Sequence, residues 1–224
     1  AEALRDPSRI RLALAAPGLL ASGEAAALVD ALARCPGKVF RVDDALMGSL
    51  SSVESTQGLL IVAERPSWSL EEILESCAEP LIVVAHGIQD PGNLGALARV
   101  AEAAGAAALV CIGGADPFSP RSVRASAGSI PRFPVIEGAG EILGALKRAG
   151  VRLAGAVAHG GQSYREQELR GPLALVLGSE GGGLPPSLLG EMEWLIRVPL
   201  REGVESLNVT AAAAVILFHL DRAG

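Results

Sequence analysis

Five polar side chains in three separate glycine-containing segments have the types and spacing that suit chemistry. They are Asn93, Arg99, Glu180, Ser206 and Asn208. Each segment follows a predicted strand, and loops at the carboxyl ends of parallel strands gather into one crevice. A guanidinium in such a crevice can bind an anion or a reacting hydroxyl, and the neighbouring polar groups can orient it. We therefore expect the three segments to line a single pocket.

The first segment covers residues 90–99 and reads DPGNLGALAR. We predict that Asn93 caps the helix that begins here and that Gly95 lets this helix lie close to the sheet. Arg99 falls within the first two turns, where an arginine does not complement the positive end of the helix dipole. Arg99 is therefore either a solvated or ion-paired residue, with Glu102 as partner, or a functional guanidinium that reaches an anion or a hydroxyl.

The second segment, residues 177–186, reads LGSEGGGLPP. Its three consecutive glycines permit positive φ angles and a close approach of the backbone to a ligand. It is neither a P-loop nor a G-x-G-x-x-G fingerprint, so it does not indicate a nucleotide triphosphate or a dinucleotide. A plain tight turn is the alternative, and Glu180 in a loop almost without other side chains favours a binding role.

The third segment, residues 198–210, connects a strand that ends at Pro199 to an alanine-rich helix. Ser206 and Asn208 lie where the helix begins, so either can cap free backbone N–H groups. The same position also presents polar groups to a ligand in α/β proteins. This segment alone does not decide between the two roles.

Short apolar blocks alternate with helical segments along the chain, and this alternation predicts a parallel α/β sheet that is covered on both faces. We predict a small α/β domain in residues 1–78 and a larger domain in residues 79–224. The predicted strands of the small domain are 10–16, 38–42 and 58–63, and those of the larger domain are 81–85, 107–112, 151–157, 173–178 and 194–198. The main predicted helices are 24–34, 94–104, 140–149 and 208–221.

Composition and charge exclude several classes of function. Hydrophobic residues make up 50% of the 224-residue chain. Since no run of eighteen apolar residues lacks charge, we predict no membrane span. Aromatic residues are 3%, too few for base stacking to be the main mode of nucleic-acid binding. The formal net charge of -6 means that contact with nucleic acid requires a local basic patch.

The cysteines and histidines indicate no metal site. The cysteines are far apart and match no metal-binding spacing, which favours reduced thiols in a cytoplasm: Cys35, Cys77 and Cys111. The histidines are interpreted as packing or surface residues: His86, His159 and His219. The chain begins at Ala1 without Met, and we expect the small domain to be incomplete at its N-terminus.

The three segments resemble, in order, the three motifs of the SpoU (TrmH-type) RNA ribose 2'-O-methyltransferases, a family of the SPOUT class. The matching stretches are DPGNLGALARVAEAAGA, LVLGSEGGGLP and IRVPLREGVESLNVTAAAAVIL, within residues 81–221. The R-x-S-x-G pattern at 124–128 is also similar to the family. Residues 1–77 resemble the small substrate-binding domain of ribosomal-RNA-directed members, which has a ribosomal-protein fold. Leu200 and Thr210 depart from the family, which often has Met and Ser there.

The resemblance implies a parallel sheet with a deep C-terminal trefoil knot, S-adenosylmethionine as cofactor, and a homodimer whose active sites draw on both subunits. The implied reaction is methyl transfer to a ribose 2'-hydroxyl, in which Arg99 takes part in activating the hydroxyl and Asn93, Glu180, Ser206 and Asn208 orient the groups. Because a guanidinium normally stays protonated, our own hypothesis is that Arg99 stabilises developing negative charge rather than acting as a base. The implied cofactor-binding residues are Leu177, Gly178, Gly183, Ile196, Val198, Leu200, Ser206 and Leu207.

An RNA substrate requires phosphate contacts. Residues 117–136 contain Arg121, Arg124 and Arg132 and no acidic residue, so this stretch is the best candidate basic patch, with a solvated surface as the alternative. The small N-terminal domain favours ribosomal RNA over transfer RNA. A transfer-RNA methyltransferase and a catalytically inactive RNA-binding relative remain open. A Rossmann dehydrogenase is disfavoured because the first turn lacks its fingerprint.

Overall fold

The computed structural model describes residues 6–20, 31–51 and 56–220. The chain divides into two compact units, Ala1–Pro66 and Ser67–Gly224.

The first unit contains a three-stranded sheet. Strand β1 (Ile10–Ala15) lies in the middle, parallel to β2 (Lys38–Arg41) and antiparallel to β3 (Leu59–Ala63). Helices α1 (Pro17–Leu20) and α2 (Asp44–Leu50) are the other main elements, and a 3₁₀ turn, Pro7–Arg9, precedes β1. The three predicted strands are confirmed. Most of the predicted helix 24–34 lies outside the described residues.

The second unit contains a seven-stranded sheet in which every strand pair is parallel. Its strands are β4 (Leu81–His86), β5 (Ala108–Ile112), β6 (Val135–Gly138), β7 (Arg152–Ala156), β8 (Gln162–Ser163), β9 (Leu173–Leu177) and β10 (Trp194–Arg197). Its helices are α3 (Leu70–Ser76), α4 (Pro91–Ala103), α5 (Pro120–Ala125), α6 (Glu141–Arg148), α7 (Pro186–Leu189) and α8 (Val209–Leu220). The predicted parallel α/β fold is confirmed. The short strands β6 and β8 were not predicted.

The core of this unit forms on both faces of the sheet, because β4, β5 and β9 are buried along almost their whole length. Alternate residues point to opposite faces. Val83, Leu109 and Leu175 pack in one cluster with residues of α4 and α8. The residues on either side of them along the strands point to the opposite face and pack in a second cluster with residues of α3 and α6. The apolar blocks of the sequence are thus explained by strands that are covered by helices on both faces of the sheet.

Helix α3 belongs to the core of the second unit. Leu70 and Ile73 are buried on its inner face, in the same cluster as Leu143 of α6. The boundary between the compact units accordingly falls between residues 66 and 67, about twelve residues before the one predicted from the sequence. The apolar spacing of Leu70 and Ile73 on one helical face is the physical reason.

The strand order of the large sheet is β6-β5-β4-β9-β7-β10-β8. From β4 the chain passes through α4 to β5 on one side, and from β9 it passes through α7 to β10 on the other side. The order therefore reverses between β4 and β9, which are neighbours in the sheet. In open α/β sheets, the loops at the carboxyl ends of two such strands enclose the ligand-binding crevice.

No helix among the described residues is long and apolar enough to cross a membrane.

Candidate active site

The loops that follow β4 and β9 are joined by a carboxylate. Glu180, just beyond β9, accepts a hydrogen bond from Asn93 Nδ2 at 2.8 Å and another from the backbone N–H of Gln89 at 3.3 Å. Each donor uses a different carboxylate oxygen. Glu180 therefore ties the start of α4 to the glycine-rich turn across the point where the strand order reverses.

The third predicted segment joins the same cluster through Asn208. Its Nδ2 donates to Asn93 Oδ1 at 2.9 Å, and its Oδ1 accepts from the backbone N–H of Thr210 at 2.9 Å. The Thr210 hydroxyl donates to the Asn93 carbonyl oxygen at 3.3 Å. Asn208 thus caps α8, which confirms the capping interpretation, and it also binds the start of α4. Its role toward a ligand stays a prediction. The structure brings Asn93, Glu180 and Asn208 together, as expected from the three segments.

The predicted capping role of Asn93 is wrong. Asp90 is the residue that caps α4, since its carboxylate accepts from the Gly92 N–H at 2.6 Å and Pro91 occupies the first helical position. Asn93 lies in the first turn of α4 instead. Because Asp90 takes the cap, the amide of Asn93 is available to bridge Glu180 and Asn208.

The hydrogen bonds of this cluster fix the orientation of both amides. A carboxylate can only accept, so Asn93 must direct Nδ2 at Glu180 and Oδ1 at Asn208. Partial burial raises the pKa of Glu180, but the hydrogen bond from Asn93 and those from backbone N–H groups outweigh this effect, and the pKa is lowered from its usual 4.5. Glu180 is accordingly ionised at neutral pH and anchors the chain of amides.

The glycine-rich turn is closed on itself. Ser179 and Gly183 exchange two backbone hydrogen bonds, at 3.2 and 2.9 Å, and Gly183 has a φ of 61°. A Cβ atom at Gly178 would lie 2.1 Å from the carbonyl carbon of Gly183. Only glycine fits at position 178, because the backbone of Gly183 lies against it. The stretch is therefore a tight turn, and its binding role stays a prediction.

A cavity of about 640 Å³ opens beside this cluster, within the usual size range of small-molecule sites. Of the residues predicted to bind a cofactor, those that line it are Leu177, Gly178, Gly183, Val198, Leu200, Ser206 and Leu207. Ile196 does not line it, because its side chain is fully buried in the core. Glu180 and Asn208 line the cavity as well. Asn93 does not line it, but it is hydrogen-bonded to both of these residues.

Sequence reasoning missed one wall of the cavity. It includes the last residue of β7 and the three residues after it, 156–159, and α7 and α8 contribute Leu189, Ala212 and Ile216. The signal for the first group was available only from topology, because β7 becomes the neighbour of β9 in the sheet. His159, interpreted as a packing or surface residue, lines the cavity.

Arg99 lies apart from the cavity. It is exposed on α4, two turns beyond Asn93, and has no hydrogen bond or ion pair within the described part of the chain. The predicted alternative partner, Glu102, instead accepts two hydrogen bonds from Arg132, at 2.6 and 2.9 Å. The guanidinium of Arg99 is thus available to a ligand or to another molecule.

The predicted basic patch is partly neutralised. Arg121 forms an ion pair with Asp90 at 3.2 Å, and Arg132 is bound by Glu102. Both acids come from outside the 117–136 window, which is why the window looked purely basic. Arg124 is exposed on α5. Among the described residues, no group of three or more His, Cys, Asp or Glu side chains could hold a metal ion.

This architecture defines an α/β protein with a small-molecule cavity at the carboxyl edge of a parallel sheet. The family it represents is shown by the sequence, since residues 80–218 match the model of the SpoU rRNA Methylase family. The chain belongs to that family, as its three motifs indicated.

Relatives of known name span most of the chain. The 23S rRNA (guanosine(2553)-2'-O)-methyltransferase RlmP of Bacillus subtilis (strain 168) is 33% identical over 183 residues, which is 81% of this chain and 71% of the relative. The 23S rRNA (guanosine-2'-O-)-methyltransferase RlmB of a Burkholderia species is 31% identical over 203 residues, covering 88% of this chain and 82% of the relative.

A solved structure is similar over nearly the whole chain. The SpoU methyltransferase AviRb from Streptomyces viridochromogenes, in complex with the cofactor AdoMet, has a TM-score of 0.84 and 25% sequence identity. The similarity covers 99% of this chain and 85% of the AviRb chain.

Proposed function

We propose that this protein is an S-adenosylmethionine-dependent methyltransferase that acts on a ribose 2'-hydroxyl of ribosomal RNA. The observation that carries the proposal is the hydrogen-bonded cluster of Glu180, Asn93 and Asn208 beside the 640 Å³ cavity, in a member of the SpoU family. The names of RlmP and RlmB support the reaction and the ribosomal substrate.

The cavity suits S-adenosylmethionine in size and chemistry. Apolar side chains from β9, α7 and α8, including Leu177, Leu189 and Ile216, can pack against an adenine ring. The bare backbone of the glycine turn and Ser206 offer hydrogen bonds to the polar parts, and AviRb binds AdoMet in the same fold. When bound, this cofactor supplies an electrophilic methyl group on its sulfonium.

The chain's own residues would prepare the hydroxyl. Methylation forms an O–C bond as the sulfonium S–CH₃ bond breaks, and the hydroxyl proton passes to water, so negative charge develops on the ribose oxygen. A guanidinium stays protonated in proteins. We therefore assign Arg99 to stabilising this charge rather than to removing the proton. Asn93, Glu180, Asn208 and Ser206 are assigned to orientation.

A homodimer would explain why Arg99 lies outside the cavity of its own chain. Helix α8 exposes apolar side chains, among them Val215 at 38% and Phe218 at 54% exposure, next to alanines that allow close helix packing. Such a face suits a second copy of the chain. In that assembly, Arg99 would act at a site shared between two subunits.

The remaining expectations extend this proposal. We propose the trefoil knot in the C-terminal part of the sheet, where β7, β9 and β10 interleave. We also propose an RNA-binding role for the first unit and phosphate contacts for Arg121, Arg124 and Arg132 on the second unit. The separate free cysteines fit a cytoplasmic location.

Ribose methylation can be tested directly. Purified protein and labelled S-adenosylmethionine are incubated with unmodified 23S rRNA, with bulk transfer RNA, and with the same rRNA carrying a 2'-deoxyribose at the mapped position. We expect label on rRNA only and none at the deoxyribose position. Label on transfer RNA would favour the alternative substrate, and failure to methylate any RNA while the cofactor binds would favour an inactive relative.

A further inference from the structure

The cavity has an unbalanced set of charges. Among the described residues that line it, Glu180 and Glu205 are acidic, His159 is the only histidine, and no lysine or arginine is present. A small site with acidic groups and no basic partner attracts positive charge and opposes negative charge. Most other lining residues are apolar or glycine, and the polar ones include Ser179, Ser206 and Asn208, whose side chains carry no charge. The two carboxylates therefore dominate the field inside the cavity.

The two carboxylates are in different states. Both oxygens of Glu180 accept hydrogen bonds, from Asn93 and from the backbone of Gln89. Glu205 lies in the loop between β10 and α8, lines the cavity, and has no hydrogen bond or ion pair within the described part of the chain. Glu205 is therefore the carboxylate of the cavity whose charge no hydrogen bond within the described structure stabilises.

We propose that Glu205 is a specificity-determining residue that makes the cavity prefer a cationic sulfonium nucleoside over the corresponding neutral sulfide. The inference rests on the proposed function, since it concerns the ligand of the same cavity. S-adenosylmethionine carries one more positive charge than the demethylated product S-adenosylhomocysteine, and the two molecules otherwise share every binding group. A carboxylate in the cavity attracts the ammonium group that both molecules carry, but only S-adenosylmethionine adds a sulfonium charge to this attraction. The difference favours substrate entry and product release.

Calorimetric titration of the full-length protein with each nucleoside tests the proposal. In Glu205→Gln, affinity for S-adenosylmethionine should fall about five- to tenfold, the size of one partly screened charge interaction, while affinity for S-adenosylhomocysteine changes less than about twofold. In the wild type, the preference for the sulfonium should shrink as salt is raised to about 1 M, because exposed charges are screened.

Glu202→Gln is the matched control, because Glu202 lies in the same exposed loop but does not line the cavity. It should leave both affinities unchanged. An unchanged affinity of Glu205→Gln for S-adenosylmethionine would overturn the proposal. An equal loss for both nucleosides would also overturn it, because the carboxylate would then recognise a part that they share.

The same titration separates this inference from the proposed function. If the wild-type protein binds neither nucleoside, the proposed function fails. If it binds both with equal affinity, only the role of Glu205 fails. Circular dichroism and thermal melting of both variants should match the wild type, since neither glutamate has a partner in the described structure.

Discussion

At the scale of single residues, Asn93 connects three loops that are far apart in the sequence. Its amide donates to Glu180 and accepts from Asn208, while its carbonyl accepts from Thr210. The helix that carries Asn93 also carries Arg99. A disturbance of Glu180 or Asn208 at the cavity is therefore transmitted to the start of the helix that holds the proposed charge-stabilising arginine.

Arg99→Ala tests that assignment. We expect turnover to fall by roughly 10²–10³, the usual cost of removing a donor that stabilises developing charge. Binding of S-adenosylmethionine should be retained, because Arg99 does not line the cavity. Single-turnover methylation and calorimetry measure the two quantities. Arg148→Ala, an exposed arginine on α6, is the control, and a turnover near the wild-type value in Arg99→Ala would remove this residue from the mechanism.

Glu180→Gln tests the electrostatics of the cluster. The pKa of Glu180 is lower in the folded state than its ordinary 4.5, so ionised Glu180 stabilises the fold above that value. This contribution is lost as pH falls through the lower folded pKa. The free energy of unfolding of the wild type should therefore decrease more steeply between about pH 5 and 3 than that of the variant.

Urea unfolding at a series of pH values measures this difference, with Glu202→Gln as control. The neutral amide introduced by Glu180→Gln would also offer only one acceptor oxygen where Asn93 and Gln89 now use two. Parallel pH profiles for the wild type and Glu180→Gln would contradict the assignment.

At the scale of elements, α4 is held by contact with α5 as well as with the sheet. The predicted close packing of Gly95 is real, but its partner is α5, because a Cβ at this position would lie 2.1 Å from the Ser122 carbonyl oxygen. Ser122 is fully buried there and donates to the Asp116 carbonyl oxygen at 2.8 Å. The glycine thus sets the distance between the two helices.

Gly95→Ala should destabilise the protein although alanine is the better helix former. Alanine gains about 1 kcal/mol in helix propensity over glycine. The cost of moving a packed helix is larger, so we expect the free energy of unfolding to fall by about 1–3 kcal/mol net, as for overpacked cores. Gly144→Ala in α6 is the control, since its nearest neighbour is the flexible end of Arg148 at 3.3 Å. Thermal melting should show a loss for the first variant and a small change for the second. A Gly95→Ala protein as stable as the wild type would show that α5 can shift freely.

The elements differ in how well their sequence predicts them. Apolar blocks such as residues 81–85 and 173–177 identify buried strands directly, because both faces must be apolar. Strand β8 has only two residues, too few for any periodicity. The motifs predicted the Asn93–Glu180–Asn208 cluster, but the pairing of Arg121 with Asp90 and of Arg132 with Glu102 depends on three-dimensional neighbours about thirty residues away.

At the scale of the whole molecule, the exposed apolar face of α8 is the feature that predicts assembly. Phe218 is 54% exposed, although the adjacent Ile216 and Leu217 on the same helix are buried. A single exposed apolar side chain is common on protein surfaces, but Phe218 lies beside the exposed Val215 on the same helix. We therefore expect α8 to contribute to the proposed dimer interface.

Phe218→Glu should convert the proposed dimer to a monomer, because two carboxylates would meet at a symmetric interface. Sedimentation velocity measures the assembly state, and methylation should fall in parallel if the site is shared. Phe40→Glu is the matched control, since Phe40 is 49% exposed on β2 of the first unit. A Phe218→Glu protein that sediments like the wild type would exclude this face from the interface.

The cavity is assembled from residues between Ala156 and Ile216, with walls from β7, β9, the turn at 178–183 and α8. During translation, the cavity is incomplete until α8 has left the ribosome and docked. A nascent chain that already has its first unit and strands β4 to β6 therefore has no place to hold a nucleoside. Its ability to bind one should arise abruptly, once α8 has docked, rather than accumulate as the polypeptide grows.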